Sequence, residues 1–226
     1  MIGIISDIHG NRAALLAVLS RLDEIGVSHI VCLGDTAGYY SQVNECCELL
    51  RGRGVFCLMG NHDWYLVSGA RSHRSSSANA CLDYQREVIT ADNLAWLASL
   101  SPSARRYGIR LAHGGWIDPL EEYVSPTEDY FGAFEGCWFA SGHTHVPCIF
   151  SGGGKTWCNP GSVGQPRDGD PRASFALWDG EHFELHRVDY DIAATRQAMA
   201  DAGFPPRFHE NLVTGTRIGG AVSANP

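Results

Sequence analysis

Five short apolar segments of this chain are each followed at once by polar side chains, usually beside a glycine. The five junctions read IISDIHG, CLGDT, LMGNHD, LAHGG and ASGHTH. Aspartate, asparagine and histidine can all coordinate metal ions. The carboxyl ends of parallel strands meet at one edge of an α/β sheet, which is where such sheets bind their ligands. The pattern therefore predicts a parallel sheet whose strand ends gather these side chains into one site.

The segments between the first three apolar runs have the spacing of helices. Within residues 11–26, apolar side chains at 15, 18, 22 and 25 recur every three or four positions, as on one helix face. Asn11 is the expected N-cap and Gly26 the expected end of this helix. A second helix is predicted over 41–54. The order strand, helix, strand, helix, strand indicates a parallel sheet with crossover helices.

The rest of the chain contains further helices and closely spaced strands. Residues 68–80, rich in Ser and Arg, predict a long loop or lid. Additional helices are predicted over 91–100, near 127–135 and over 190–202. Two glycine-containing turns predict hairpins over 147–161 and 172–188. The prediction is thus an α/β fold whose strands form two sheets.

The domain boundary is predicted from length and composition. A chain of 226 residues is long enough to bury a substantial core. We expect residues 1–206 to form a single domain. After the Pro205–Pro206 pair, residues 207–226 offer little to pack and are predicted to be a mobile tail.

Charge and hydropathy exclude several classes of protein. The formal net charge of −8 argues against a broad basic face for nucleic acid, so a nucleic-acid partner is not expected. No apolar run approaches the ~18 residues of a membrane span, and the N-terminus lacks the features of a signal peptide. None of the eight cysteines forms a C-x-x-C pair, which excludes a zinc ribbon. We therefore predict a cytoplasmic protein without a membrane partner.

The last junction contains two histidines with one residue between them. In an extended segment residues i and i+2 face the same way, so His143 and His145 can point into one small volume. Two histidines on a solvated loop would have the same spacing, so the other junctions must decide. The full set of candidate ligands comprises Asp7, His9, Asp35, Asn61, His113, His143 and His145. Seven mixed nitrogen and oxygen ligands exceed the needs of one tetrahedral ion and suit two ions about 3.5–4 Å apart that share a carboxylate.

The five junctions also support a resemblance. DIHG, GD, GNHD, HG and GHTH occur here in the order found in the calcineurin-like metallophosphoesterase superfamily, and the match extends over about residues 1–190. The stretches NPGSVGQPRDGDPRASFALWD, ADNLAWL and DPLEEY are similar to its small bacterial branch of predicted phosphodiesterases or diadenosine-tetraphosphatase-like proteins. The resemblance implies a four-layer α/β/β/α sandwich of two mixed sheets flanked by helices.

The resemblance also implies a role for each candidate residue. Asp7, His9 and His145 would hold a first metal ion, and Asn61, His113 and His143 a second. Asp35 would bridge the two ions. His62 would stabilise the phosphoryl charge or protonate the leaving alkoxide, which makes it a catalytic and substrate-binding residue together with Asn61. A supporting histidine that hydrogen bonds to the ligands is the alternative for His62.

Two features depart from the protein-phosphatase branch of that superfamily. After the GD element the chain reads GDTAGYY, so Gly38 stands where that branch has the aspartate that orients its catalytic histidine. No arginine follows, and the Gly-Pro pair common in small members is also absent. The resemblance therefore does not favour a protein phosphatase, and it leaves the substrate open.

Several residues near the junctions have two interpretations. Arg12 could contact a substrate phosphate or be a solvated helix arginine. Arg71 and Arg74 could belong to a lid over an anionic substrate or to an ordinary polar loop. For Arg167 and Arg172 we favour structural salt bridges. The aromatic residues could stack on a nucleobase, although wall packing is the simpler interpretation for Tyr39, Tyr40 and Trp64.

The predicted function is a dinuclear metal-dependent phosphoesterase. It would hydrolyse a phosphodiester, phosphomonoester or nucleoside polyphosphate by attack of a metal-bound hydroxide, with Mn most expected and Fe, Zn, Co or Ni also possible. A small phosphorylated molecule would be its substrate. The alternatives are a non-catalytic scaffold or interaction module on the same fold, and a nuclease.

Overall fold

The computed structural model describes residues 1–222. Within this range the strands, in chain order, are β1 (Ile2–Ile5), β2 (His29–Cys32), β3 (Phe56–Cys57), β4 (Ser103–Arg106), β5 (Ile109–Ala112), β6 (Trp138–Ser141), β7 (Cys148–Gly152), β8 (Lys155–Asn159), β9 (Ala173–Trp178) and β10 (Phe183–Val188). The α-helices are α1 (Arg12–Ile25), α2 (Val43–Gly52), α3 (Asn61–Ser68), α4 (Ser76–Val88), α5 (Ala91–Ala98), α6 (Glu128–Gly132) and α7 (Ile192–Asp201). Two short 3₁₀-helices follow, Pro206–Phe208 and Glu210–Val213.

The strands form two mixed five-stranded sheets. The first has the order β10-β9-β1-β2-β3, and the second β4-β5-β6-β8-β7. In the first sheet β1, β2 and β3 are parallel, whereas β9 and β10 are antiparallel additions. In the second sheet β5, β6 and β8 are parallel. Each sheet therefore has a parallel centre, whose strand ends face one edge.

The two sheets pack face to face, with helices on both outer faces. Alternation along β1 divides the core, since Ile4 packs between the sheets and Ile5 packs toward the helices. The core between the sheets combines side chains of both, such as Val31 with Leu111. On the far side of the second sheet, Phe131 of α6 packs in a separate buried cluster. The predicted α/β/β/α sandwich is confirmed.

The first crossover helix follows its sequence signals closely. The Asn11 side chain accepts a hydrogen bond from the backbone N–H of Ala14 at 3.1 Å, which caps α1. The helix ends at Gly26 as predicted. The two predicted hairpins are present as β7–β8 and β9–β10. Local sequence signals therefore define these elements well.

The predicted loop over 68–80 is only partly a loop. Helix α4 begins at Ser76, because the Ser75 side chain accepts a hydrogen bond from the N–H of Ala78 at 3.0 Å and caps the helix. Ala78, Cys81 and Leu82 lie on its buried face. Serine is favoured at helix N-caps as well as in loops, so composition alone does not distinguish a loop from the start of a helix in a serine-rich segment. The loop proper is the short link between α3 and α4.

The C-terminal segment also differs from its prediction. Within 207–226, Phe208 and Leu212 are buried in a cluster with Tyr39, Tyr40 and Met199 of the domain. Apolar contacts thus pack part of this segment against the domain, although its polar composition had predicted a mobile tail. The rest of that prediction, over residues 223–226, lies outside the described residues. Across residues 1–222, each helix lacks the length or the apolar character needed to cross a membrane.

Candidate metal centre

The structure brings the seven predicted ligands together at one edge of the sandwich. Each follows a strand: β1, β2 and β3 in the first sheet, and β5 and β6 in the second. All seven are at most 5% exposed. We call this set the strand-end cluster, comprising Asp7, His9, Asp35, Asn61, His113, His143 and His145. Residues up to 138 positions apart in sequence therefore share one buried volume, as the strand order predicts.

Potential ligand atoms of the cluster form overlapping groups within 4.8 Å of one another. One group contains Asp7, His9 and His145, and another contains Asp35, His113 and His143. A third joins His9, Asp35 and His62. Asp35 and His9 each belong to two groups, and Asp35 is the carboxylate that links the His113 and His143 group to His9 of the first group. The assignment of each ligand to a particular ion stays a prediction.

Three imidazoles have their tautomers fixed by backbone carbonyls. The Nδ1 atom of His9 donates to the carbonyl oxygen of Ala37 at 2.8 Å. The Nδ1 atoms of His113 and His145 contact the carbonyl oxygens of Leu33 at 3.0 Å and Gln165 at 2.6 Å. A carbonyl can only accept, so each Nδ1 carries the proton. The Nε2 lone pair of each ring is then available for a metal ion.

These lone pairs face other acceptors rather than donors. The Nε2 atoms of His9 and His145 are only 3.0 Å apart. The Nε2 atom of His145 also lies 3.3 Å from Asp7 Oδ1. Lone pairs at this distance repel one another unless a proton or a cation lies between them. The donor set therefore fits a cation between Asp7, His9 and His145.

In the other half of the cluster a ring nitrogen also lies close to oxygen ligands, but here a proton on His113 can donate to them. The Nε2 atom of His113 lies 3.1 Å from Asn61 Oδ1 and 3.4 Å from Asp35 Oδ2. Among the described residues, buried His143 Nε2 has no hydrogen-bond partner. The same holds for Asp7 Oδ1 in the first half of the cluster. Buried polar atoms are normally satisfied, so these orphaned atoms also fit metal ions.

Burial and neighbouring charges set the protonation of the cluster. Burial lowers the pKa of His9, His143 and His145 well below the usual value, so these rings are neutral as metal ligands must be. Burial alone would raise the pKa of Asp35, but nearby imidazoles, led by that of His113, hold it low. Burial opposes protonation of His113, yet the Asp35 carboxylate raises its pKa to about 10. The buried Asp35 carboxylate is therefore stable only with a positive charge beside it, which can come from a proton or from a metal cation.

The backbone of the cluster is strained. In the described part of the chain, six non-glycine residues have positive φ angles, and five of them are predicted ligands. These are Asp7, His9, Asp35, His143 and His145, with φ between 54° and 67°. A left-handed conformation costs a non-glycine residue on the order of 1–2 kcal/mol. Such strain concentrates at functional sites, where the surrounding structure imposes it.

Backbone hydrogen bonds between loops sustain this strain. The N–H groups of Ile8 and His9 both donate to the carbonyl oxygen of Asp35 at 2.9 Å. The N–H of His143 donates to Asp7 Oδ2 at 3.1 Å, which joins the two sheets. A Cβ atom at Gly142 would lie 2.0 Å from the Ser6 side-chain oxygen, so only glycine permits this approach. The loops after β1, β2 and β6 form one interlocked unit.

Asp63 supports this unit and was not predicted as a site residue. Its Oδ2 accepts hydrogen bonds from the N–H groups of Asp35 and Gly60, both at 2.9 Å. Its Oδ1 accepts from the N–H of Ala37 at 2.8 Å. Asp63 therefore ties the start of α3 to the loop that carries Asp35. An aspartate three residues after the helix N-cap is a capping signal that could have identified it.

Glu121 is a second residue that sequence analysis missed. Its Oε1 accepts hydrogen bonds from Asn61 Nδ2 at 3.3 Å and from the Tyr65 hydroxyl. Because the Asn61 amide nitrogen is engaged in this way, Asn61 Oδ1 faces His113 and the cluster. Glu121 lies in the stretch DPLEEY that supports the resemblance, but no spacing rule links that stretch to the strand ends.

His62 lies at the start of α3 against the cluster. Its backbone N–H donates to Asp35 Oδ1 at 2.8 Å, and its ring packs 4.8 Å from the ring of His9 and 4.9 Å from that of Tyr39, between centroids. Among the described residues its buried Nδ1 atom has no hydrogen-bond partner. A Cβ atom at Gly38 would lie 2.2 Å from His9 Nδ1, so no side chain at 38 can take the orienting role. Burial lowers the pKa of His62.

Some of the arginines considered in the sequence lie on the surface, whereas Arg167 lies at the site. Arg172 forms the expected salt bridge, with Asp170 at 2.7 Å. Arg167 does not follow its predicted role as a salt-bridge partner: it is only 5% exposed, donates to the neutral Gln165 side chain, and lines the cavity at the cluster. Arg12 is exposed on the first turn of α1 and does not line that cavity. Arg71 pairs with Asp83 at 3.0 Å.

The three aromatic residues near the junctions differ in exposure. Tyr39 lines the cavity at the cluster and packs against His9 and His62. Tyr40 is buried behind it, where its hydroxyl accepts from Gln165 Nε2 at 3.2 Å. Trp64 is 39% exposed on α3. Tyr40 is therefore a wall residue, whereas Tyr39 faces the site.

Comparison with known proteins agrees with this geometry. A metallophosphoesterase structure from Sphaerobacter thermophilus is 34% identical, with a TM-score of 0.84 over 95% of this chain and 98% of that one. A hypothetical protein of Pyrococcus horikoshii has the same fold at 21% identity, with a TM-score of 0.84 over 95% of this chain and 99% of its own. An uncharacterized protein of Methanocaldococcus jannaschii is 34% identical over 95% of this chain and 98% of its own length.

The sequence profile of the calcineurin-like phosphoesterase superfamily domain matches residues 1–182, a range that includes every member of the strand-end cluster. The chain belongs to the calcineurin-like phosphoesterase superfamily.

Proposed function

We propose that this protein is a phosphoester hydrolase that holds two divalent metal ions in the strand-end cluster. The observation that carries the proposal is the contact between His9 Nε2 and His145 Nε2 at 3.0 Å, with both Nδ1 protons committed to backbone carbonyls. Only a cation or an extra proton can stabilise that arrangement, and burial disfavours the extra proton. The mixture of imidazole, carboxylate and amide ligands suits Mn²⁺ first, with Fe, Zn, Co or Ni as substitutes.

Bound ions would polarise the phosphoryl oxygens and lower the pKa of an attacking water. The residues of the chain supply the rest. His62 lies beside Asp35 and lines the cavity, which places its ring to donate a proton to the leaving oxygen as the phosphorus–oxygen bond breaks. The water oxygen remains on phosphorus, and water restores the proton of His62. Arg167 offers a guanidinium to the phosphate oxygens from the same cavity.

Metal-dependent turnover tests the proposal. Purified protein with added Mn²⁺, and the same protein in EDTA, would be assayed on bis-(p-nitrophenyl) phosphate, p-nitrophenyl phosphate and a dinucleoside polyphosphate. We expect hydrolysis that requires the metal. Asp35→Asn should lose bound metal and activity together, on the order of 10³-fold, because ion-based stabilisation of the transition state is worth several kcal/mol.

Asp83→Asn is the matched control, because Asp83 is a half-exposed carboxylate that pairs with Arg71 away from the cluster. It should retain both metal and rate. A metal-loaded protein that turned over none of these substrates would contradict the proposal and favour the non-catalytic module. Cleavage of single-stranded DNA in preference to the small esters would favour the nuclease.

A further inference from the structure

A second cavity opens beside the one that faces the strand-end cluster. It has a volume of about 250 Å³, and its lining includes the arginines Arg74, Arg167 and Arg217. The cavity facing the cluster is much smaller, about 30 Å³. The two share Arg74, Arg167, Tyr39 and Tyr123 in their linings. They are therefore neighbouring compartments of one opening, and the larger compartment is cationic although the chain carries a net charge of −8.

Arg167 lies between the two compartments, and its charged side chain is buried. Its Nε and Nη2 atoms donate to the Gln165 side-chain oxygen at 2.9 and 2.6 Å, and its guanidinium lies 5.3 Å from the centroid of Tyr39. Both partners are neutral. Within residues 1–222 no carboxylate forms an ion pair with Arg167. A buried cation without a counter-charge is costly, so this position favours an anionic ligand.

The other two arginines come from separate segments. Arg74, on the link between α3 and α4, lies 5.0 Å from the centroid of the Tyr123 ring and 4.0 Å from Glu121 Oε2. Arg217 lies on the C-terminal segment that Phe208 and Leu212 anchor to the domain. Three distant parts of the chain thus each contribute an arginine to the lining of one cavity. Guanidinium groups bind phosphate oxygens through paired N–H donors.

We propose that this arginine-lined cavity binds a second phosphate of the substrate, next to the phosphate that reacts at the cluster. This inference rests on the proposed function and narrows it to phosphoanhydrides, in which one phosphate is joined directly to the next. The small compartment has room for about two water molecules at most, and it adjoins the larger one through shared walls. A second anionic group must therefore follow the first without a long spacer, as it does in a polyphosphate chain.

Ligand binding, measured separately from turnover, tests this proposal. Calorimetry would give the dissociation constants of inorganic tripolyphosphate and orthophosphate for the manganese-loaded protein at a fixed concentration of free Mn²⁺. Tripolyphosphate should bind at least about 10-fold more tightly. Arg74→Gln and Arg217→Gln should each lower this preference by about 10-fold, since each removes charge-assisted hydrogen bonds to phosphate oxygens. Arg74→Lys should restore part of it.

Arg71→Gln is the matched control, because Arg71 belongs to the same link but lines a different cavity and pairs with Asp83. It should keep the preference of the unmodified protein. Hydrolysis of simple esters together with an unchanged preference in Arg74→Gln and Arg217→Gln would overturn the subsite and leave the proposed function standing. Loss of the preference in these variants without any hydrolysis would support the subsite as a binding site and contradict the proposed function.

Discussion

The strand-end cluster and the rim of its opening are built in opposite ways. We define the rim as residues 69–75, 118–123 and 215–218, and the floor as the strand-end cluster together with the adjoining His62 and Asp63. Every member of the cluster is at most 5% exposed, and backbone hydrogen bonds between loops hold five of them at positive φ. On the rim, by contrast, the Arg74 side chain is 56% exposed and Tyr123 is 44% exposed. In our proposal the sheets therefore fix the reaction, whereas the segments that leave the sheets select the substrate.

We expect the largest effect on the rate at His62, a residue of the floor that is not a metal ligand in our proposal. His62→Ala should lower kcat by 10²–10⁴-fold, the usual contribution of a positioned general acid, while the protein keeps its metal. Steady-state kinetics and elemental analysis would check this. His29→Ala serves as the control, because His29 stacks on Tyr107 at the opposite end of its strand. An unchanged rate in metal-loaded His62→Ala would show that His62 only packs against the ligands.

The packing beneath the 215–218 part of the rim predicts an effect on stability. Phe208→Ala should lower the free energy of unfolding by about 3 kcal/mol, because it removes a buried aromatic ring from the apolar contacts between the C-terminal segment and the domain. Urea unfolding would measure the change. Val213→Ala is the control, since Val213 is 50% exposed and should alter stability by less than about 0.5 kcal/mol. Equal effects in the two variants would mean that the C-terminal segment is not packed as described.

A supporting residue of the floor should have an intermediate effect. Asp63→Asn keeps the shape of the side chain but places an amide N–H₂ against backbone N–H donors. We expect metal affinity to fall 10–100-fold, as is usual for residues that orient metal ligands. Titration with Mn²⁺ would measure it, with Asp83→Asn as the comparison. Unchanged affinity would show that the loop after β2 holds Asp35 without Asp63.

The smallest effect is expected at Arg12, a residue that sequence alone offered as a phosphate ligand. Arg12 is exposed on α1, and neither compartment of the opening includes it. Arg12→Gln should change kcat/KM by less than about twofold, as for a surface substitution. A tenfold loss in the same kinetic assay would place Arg12 in contact with substrate and would weaken the contrast between floor and rim.

The sequence by itself determined the main elements and the cluster. A short continuous apolar run defines β1, and apolar residues at a period of 3.6 define α1. The polar residues after each strand must converge because parallel strands end at one edge. The side-chain cap at Asn11 is a local interaction, so the start of α1 could be predicted. The order of the five junctions was sufficient to identify the superfamily.

Tertiary structure alone decided the details that depend on distant contacts. Glu121 and Arg167 acquire their roles from partners far along the chain or across a cavity, which no local pattern records. Asp63 has a local capping signal, but its hydrogen bonds to the loop that carries Asp35 depend on the fold. The same holds for the C-terminal segment, whose few apolar residues are buried only because the domain provides a matching surface. The positive φ angles at the ligands are another such feature, because they persist only where neighbouring loops impose them. Local propensities fix the elements, and long-range packing fixes the geometry of the site.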